Sequence, residues 1–270
     1  MNRYEAIYRR KSVRKYSLES LPESELERIR RELESTAPLY DHVDSHVFLA
    51  EDGEKVQENF SGLKSKVASV ESPHYLVGTS EKEEGYLVNM GYMLEDLVLF
   101  LADRELGTCW LGSGLNDGLL SEVYDFEHDL VIMVALGDST EGESNLRSGP
   151  EEAKRKPIKE LVLNDLEELP ETWKDVIDAA RMAPSAVNSQ PWRFYYDEDG
   201  DSLHVFIEKK GLFKGVVRKI ADLDKLNRID VGIALKHLEI AAENFSLDIR
   251  FEDMGRKRKG HEYIMSAVES

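Results

Sequence analysis

An internal repeat narrows the architectures open to this chain. The segment Gly91-Tyr92-Met93-Leu94-Glu95-Asp96-Leu97 has a later counterpart in Gly232-Ile233-Ala234-Leu235-Lys236-His237-Leu238, and self-similarity of this kind marks a duplicated structural unit. The register continues without gaps, so that Leu106-Gly107-Thr108-Cys109-Trp110 falls opposite Leu247-Asp248-Ile249-Arg250-Phe251. In both copies an apolar helical run leads into a strand. A second matched pair lies upstream: Ala37-Pro38 through Val47-Phe48 has the length of Ala183-Pro184 through Arg193-Phe194, and each follows a charged helical run. Each half therefore reads helix, loop, strand, buried helix, strand.

The spacing of apolar residues predicts amphipathic helices over Ser24 to Leu33 and Glu171 to Ala180, each packing one face on a core. Short aliphatic, β-branched and aromatic runs predict strands at His74 to Gly78, Leu130 to Leu136, Phe194 to Tyr196 and Leu203 to Ile207. Leu247 to Phe251 and Tyr263 to Val268 read as a hairpin around Gly255 to Gly260, whose basic tip, Arg256 to Lys259, is expected to be solvated. Such alternation makes an α/β or α+β chain. The stretch Gly137 to Pro150, rich in Gly, Ser, Asp and Glu, reads as an exposed connection. It places one half at residues 1–150 and the other at 151–270.

Composition excludes several classes of function. With 35 basic against 53 acidic side chains the formal charge is -18, which repels nucleic acid and anionic membranes. The longest apolar stretch, around Leu97 to Ala102, is far shorter than a membrane span needs. One cysteine, Cys109, permits no internal disulfide, and Arg9, Arg10 and Lys11 stand where a secretory signal would be apolar. The expectation is a cytoplasmic protein.

Three constellations could carry chemistry. Arg9-Arg10-Lys11-Ser12-Val13-Arg14 crowds guanidinium groups and a hydroxyl into one turn, a set suited to a phosphate, although basic runs are commonly solvated surface. The loop Ala183-Pro184-Ser185-Ala186-Val187-Asn188-Ser189-Gln190-Pro191-Trp192 sets amide and hydroxyl groups between two rigid prolines. It either reads the polar edge of a flat heterocycle or is an ordinary helix-to-strand connection. Gly107-Thr108-Cys109-Trp110-Leu111-Gly112-Ser113-Gly114 opens from a strand into glycines, which lets a backbone approach a ligand or merely ends a core strand.

Two tempting sites are set aside. Cys109 beside Trp110 has no histidine or acid tied to it by motif and is expected to be buried and inert. Asp41-His42-Val43-Asp44-Ser45-His46 contains metal-ligand residue types, but strand alternation is expected to split them between faces. The chain has no Walker loop, Rossmann fingerprint or serine-hydrolase elbow.

Together, an Arg-x-Ser-x-Arg cluster near the N-terminus, a Gly-Thr-Cys-Trp-Leu-Gly strand and a Pro-Ser-x-x-Asn-x-Gln-Pro-Trp loop resemble the nitroreductase family. That resemblance implies an α+β nitroreductase-like fold and FMN bound between two subunits of an intertwined dimer. The motif order departs from the family, because the Pro-Ser-x-x-Asn loop here follows the glycine strand. The first half has Leu39, His42, Ser45 and His46 at the positions of Ser185, Asn188, Pro191 and Trp192. The second half lacks both the arginine cluster and the Gly-Thr-Cys-Trp segment. The chain is thus similar to fused two-half members, with the halves forming an intramolecular pseudo-dimer, one composite FMN site and a monomeric state.

Carried over by position, the resemblance implies that Arg10, Lys11 and Ser12 hold the FMN phosphate with Arg155 of the arm Lys154-Arg155-Lys156-Pro157. Arg14 is implied at the pyrimidine edge of the flavin and the backbone around Leu111 and Gly112 near N5. Pro184, Ser185 and Asn188 are implied to contact the ring from the other half, with Gln190 and Trp192 supporting the loop. The implied activity is hydride transfer from NADH or NADPH, through flavin, to a small electron-poor acceptor such as a nitroaromatic or quinone. The alternative is a flavoprotein without turnover, serving storage, sensing or regulation.

Overall fold

A computed structural model describes residues 1–60, 70–112, 124, 126–209 and 217–270. Ser113 and Gly114 of the glycine-rich run lie outside the described residues. The chain divides into two compact units, Met1–Glu152 and Ala153–Ser270.

The first unit contains α1 (Arg3–Arg9), α2 (Glu23–Ser35), β1 (Ser45–Ala50), α3 (Gly53–Phe60), β2 (His74–Ser80), α4 (Tyr86–Asp103), β3 (Gly107–Leu111) and β4 (Asp129–Gly137). Its antiparallel sheet has the order β1-β2-β4-β3. The second unit contains α5 (Glu171–Arg181), β5 (Trp192–Asp197), β6 (Ser202–Glu208), α6 (Val217–Asn244), β7 (Ile249–Glu252) and β8 (His261–Glu269), with sheet order β5-β6-β8-β7. The two orders are the same, and two such four-stranded sheets fit the pseudo-dimer arrangement expected of duplicated halves.

The repeat extends to details that sequence similarity does not display. In the first sheet, Leu76 pairs with Val134, and the register slips between Gly78 and Thr79. In the second, Leu203 pairs with Ala267, and the slip falls between Val205 and Phe206, the same number of rungs on. A β-bulge is a specific structural device, so its recurrence at one rung is strong evidence of duplication.

The central helices also end alike. α4 closes with Glu105 at φ 61° and α6 with Ser246 at φ 57°. Leu106 N–H donates to the Leu101 carbonyl and Leu247 N–H to the Ala242 carbonyl, both at 2.9 Å. This Schellman-type closure satisfies carbonyls at each helix end, where neither copy uses the glycine that usually takes the left-handed position.

α4 is apolar around most of its circumference because it is buried from Leu87 to Ala102, only Asp96 and Phe100 being partly exposed. A helix of that kind belongs inside a domain. It lies on one face of the first sheet, where Gly78 leaves room for Met90 and Leu94. The opposite face, including Tyr75, Val77, Cys109, Leu111, Met133 and Ala135, is covered by Val13, Tyr16, Val56 and Val70. β2 and β4, buried on both faces, therefore read as near-continuous apolar runs.

Two sequence expectations require correction. The stretch Gly137 to Pro150 is not simply an exposed connection: Leu146 and Arg147 are buried, and bridges join Tyr16 to Ser139 and Arg10 to Leu146. Its polar composition concealed an inserted apolar side chain and a buried cation. The basic tip of the β7–β8 hairpin is not only solvated. Arg258 stacks over the Tyr195 ring at 4.8 Å and donates to the Leu163 carbonyl, while Arg256 pairs with Asp197.

Among the described residues, no helix is long and apolar enough to cross a membrane.

Candidate functional site

The first unit gathers its cationic groups by adding the N-terminal segment to the edge of its sheet. Val13 N–H donates to the Thr108 carbonyl at 2.9 Å, and Ser12 forms a parallel bridge to Thr108. This close approach depends on Gly107, since a Cβ there would stand 2.8 Å from both Val13 Cγ2 and Asn145 Oδ1, and 3.0 Å from the Gly137 carbonyl. Gly107→Ala is expected to lower stability by about 1–3 kcal/mol, as overpacking does, and to displace Ser12 from β3. Thermal unfolding and the Ser12 amide resonance would register the two effects.

The same segment runs beside residues 146–147. Arg147 N–H donates to the Arg9 carbonyl at 2.8 Å, and Arg9 Nε returns a hydrogen bond to the Arg147 carbonyl at 2.8 Å. These contacts bring Arg10 and Arg147 together, 3% and 6% exposed. Arg10 Nη2 lies 3.4 Å from Ser12 Oγ, but Arg10 Nε and Arg147 Nη1 are buried without acceptors, as is Thr108 Oγ1. Among the described residues, neither guanidinium forms an ion pair.

Burial, reinforced by the neighbouring Arg10 charge, pushes Arg147 down to about 10, while Glu152 opposes the shift. Two buried like charges with orphaned donors are costly unless an anion joins them. A phosphate matches guanidinium geometry and neutralises both. Residue type, burial and orphaned atoms thus fit the phosphate end of a nucleotide-like cofactor. Lys11 and Ser12 flank the pair half-exposed, and Arg14 is exposed.

Sequence reasoning missed Arg147, because nothing in Asn145-Leu146-Arg147-Ser148 distinguishes it from a surface residue. Leu111 ends β3, buried and paired to Met133, and Gly112 follows exposed. Burial raises the Cys109 thiol even though Arg14 and Arg10 act to lower it. A protonated, buried thiol is a poor nucleophile.

The second unit carries the loop, which is strained. Val187, Asn188 and Gln190 adopt φ of 49°, 55° and 48°, a left-handed region costly for side-chain-bearing residues. Two sets of contacts hold it there. From the arm, Arg155 donates to the Met182 carbonyl at 3.0 Å and to Asn188 Oδ1 at 3.0 Å. Lys156 N–H donates to Gln190 Oε1 at 2.7 Å, and Asn188 Nδ2 donates to the Lys154 carbonyl at 2.8 Å. Arg155 is thus built into the loop of its own unit. Pro184 is buried, Ser185 half-buried and Asn188 exposed. Ser185 Oγ accepts from Gln190 N–H at 3.0 Å, and Trp192 is fully buried.

From α6, Asp230 accepts the Ala186 N–H on both oxygens, at 3.1 and 3.0 Å. Ser189 Oγ lies 3.4 Å from its Oδ2 and donates to Asn227 Oδ1 at 3.3 Å. Burial raises Asp230 to about 8 against these hydrogen bonds. The first unit repeats the device with an amide: Asn89 of α4, at the position matching Asp230, accepts from Leu39 N–H at 2.7 Å and Tyr40 N–H at 3.1 Å. Asp230 was also missed by sequence reasoning, although it stands two residues before the repeated Gly232.

The run Asp41 to His46 departs from the expected split. Asp44 and His46, two residues apart, share a face, and Asp44 Oδ1 lies 3.0 Å from His46 Nε2. His42 packs edge-on against Tyr40 instead.

A family model described as "Putative TM nitroreductase" matches residues 2–242. A solved "putative nitroreductase" from Thermotoga maritima MSB8 is 25% identical, with a TM-score of 0.65, covering 100% of this chain and 94% of that one. A nitroreductase family protein from Clostridium novyi NT is 23% identical over 52% of this chain and 87% of its own, with a TM-score of 0.43. A nitroreductase with bound FMN from Desulfitobacterium hafniense DCB-2 is 14% identical over 58% of this chain and 100% of its own, with a TM-score of 0.44. No curated protein matches the chain. With the family model spanning most of its length, the chain belongs to the nitroreductase family.

Proposed function

We propose that the protein is an FMN-dependent oxidoreductase that takes hydride from NADH or NADPH and passes electrons to a small electron-poor acceptor such as a nitroaromatic or quinone. The observation that carries this reading is the buried Arg10–Arg147 pair with donors lacking acceptors, in a chain of this family.

In this reading Arg10 and Arg147 hold the phosphate, with Lys11 and Ser12 as further donors. Arg14 stabilises negative charge at the pyrimidine edge of the ring, which raises the reduction potential. The backbone at Leu111 and Gly112 serves the N5 side. Pro184, Ser185 and Asn188 present the loop's groups to the ring, and Arg155 serves the site through Asn188. Neither unit's sequence carries all of the family's flavin-binding motifs, so the proposed stoichiometry is one FMN per chain, and a monomer suffices.

When bound, FMN supplies the hydride and electron chemistry, so the chain's residues position, tune and exclude water rather than act as acid or base.

Anaerobic mixing of FMN-loaded protein with NADH and with NADPH tests the activity. Bleaching of the yellow flavin absorbance by either nucleotide, reversed by a nitroaromatic or quinone, is the expected result. Bound flavin that stays yellow would replace the reductase reading with a storage or sensing role.

A further inference from the structure

We propose that the first unit carries a metal site, independent of the flavin reading, in which Asp44, His46, Glu127 and His128 bind one Zn2+ ion. Their ligand atoms all lie within 4.8 Å of one another, although the residues come from two distant stretches of sequence.

Strand register creates the cluster. Ser45, at the start of β1, pairs with Ser80 of β2, and Ser80 pairs with Asp129, at the start of β4. The residues just before or within those strands therefore meet at one end of the sheet. The Asp44 backbone is fixed there, since its carbonyl accepts from Glu81 N–H at 3.1 Å and from Ser80 Oγ at 3.1 Å, and its N–H donates to Glu81 Oε1 at 2.9 Å.

The side chains converge through corresponding atoms. Asp44 Oδ1 is 3.0 Å from His46 Nε2, and Asp44 Oδ2 is 2.7 Å from His128 Nε2. Glu127 Oε2 is 3.9 Å from His46 Nε2. The two imidazoles stack with centroids 5.7 Å apart and planes 22° apart. Tetrahedral zinc with bonds of about 2.0–2.1 Å requires ligand atoms about 3.3 Å from each other; the Asp44 contacts are closer than this, and the ligand atoms, all within 4.8 Å of one another, reach it through small side-chain rotations.

The donor set selects the ion. Two imidazole nitrogens and two carboxylates suit zinc, whereas magnesium and calcium prefer sites built from oxygen. Neutral imidazoles and two carboxylates also balance the charge of a divalent cation. On binding, each Nε2 gives its lone pair to the metal and each ring proton resides on Nδ1. The ion would tie the start of β1 to the start of β4, two strands that do not pair with each other. At the position matching the fully buried Trp192, the first unit presents His46, whose side chain is 53% exposed and accessible to a metal.

Chelator-treated full-length protein dialysed against micromolar Zn2+ is expected to retain one equivalent per chain and to unfold several degrees higher. Mg2+ and Ca2+ should do neither. In the His46→Ala/His128→Ala variant the Zn2+ dissociation constant should rise by more than the 10- to 100-fold typical of losing a residue that merely supports a ligand. His42→Ala, outside the cluster, should bind as the parent does. His46 is exposed and His128 half-buried, and circular dichroism checks that the variant folds. Absence of zinc uptake by the parent overturns the proposal, and so does uptake that the double variant retains. Neither result bears on FMN, whose binding is titrated separately on the same samples.

Discussion

Arg147→Met is expected to raise the dissociation constant for FMN by at least thirtyfold while leaving the apo protein as stable as the parent, or more so. Removing one member of a buried charge pairing commonly costs about 2–5 kcal/mol of binding, which is roughly 30- to several-thousand-fold in affinity. Folding should respond in the opposite sense. Arg147 is a buried cation beside another, with Nη1 lacking an acceptor, and an apolar stem of similar length removes both the repulsion and the desolvation.

Inorganic phosphate should raise the melting temperature of the parent through binding to the folded state, and raise that of the variant less. FMN fluorescence titration and urea unfolding make the comparison. A variant that loses several kcal/mol of stability yet binds FMN normally would show that Arg147 is a packing residue.

Asp230 carries the second large effect, and its sign depends on pH. Its carboxyl rises from 3.8 to about 8 on folding, through burial, so the folded protein holds a proton that the unfolded chain has released over this interval. Stability therefore falls as pH rises from about 4 to about 8, by up to ~1.4 kcal/mol per unit, and levels off above.

Asp230→Asn should abolish this slope with little loss near pH 6, because an amide can accept from Ala186 and donate to Ser189, as Asn89 accepts from Leu39 and Tyr40 and donates to Ser45 Oγ. Asp230→Leu should cost about 1–3 kcal/mol for the orphaned Ala186 N–H alone. It should also weaken FMN binding, since the left-handed residues at 187, 188 and 190 lose an anchor. Urea unfolding at pH 5, 7 and 9 separates the variants, and an unchanged slope in Asp230→Asn would remove Asp230 from the account.

The fold was legible in the sequence to the extent that it follows from local pattern. The repeat at Gly91 and Gly232 marked the central helices, and the apolar runs marked β2, β4 and β6 within a residue or two of their bounds. The recurring bulge and the paired left-handed residues at 105 and 246 were not legible, because non-glycine residues at those positions carry no local signal.

At the site the difference is between motifs and partners. The basic cluster and the proline-bounded loop are contiguous and could be read directly. Arg147 and Asp230 act through burial and distant contacts, and their neighbours in sequence resemble ordinary loop and helix surface. The meeting of His46 with His128 likewise depends on two strand pairings that no local pattern announces, whereas Asp44 and His46, two residues apart, fall on one face by alternation itself, so the expected split did not follow from it.

One flavin per chain is the central expectation. Titration of purified, flavin-free protein with FMN, followed by quenching of flavin fluorescence, is predicted to saturate at one FMN per chain. Saturation at two would mean that each half builds a site of its own, and no quenching would mean that the buried arginine pair serves some other anion.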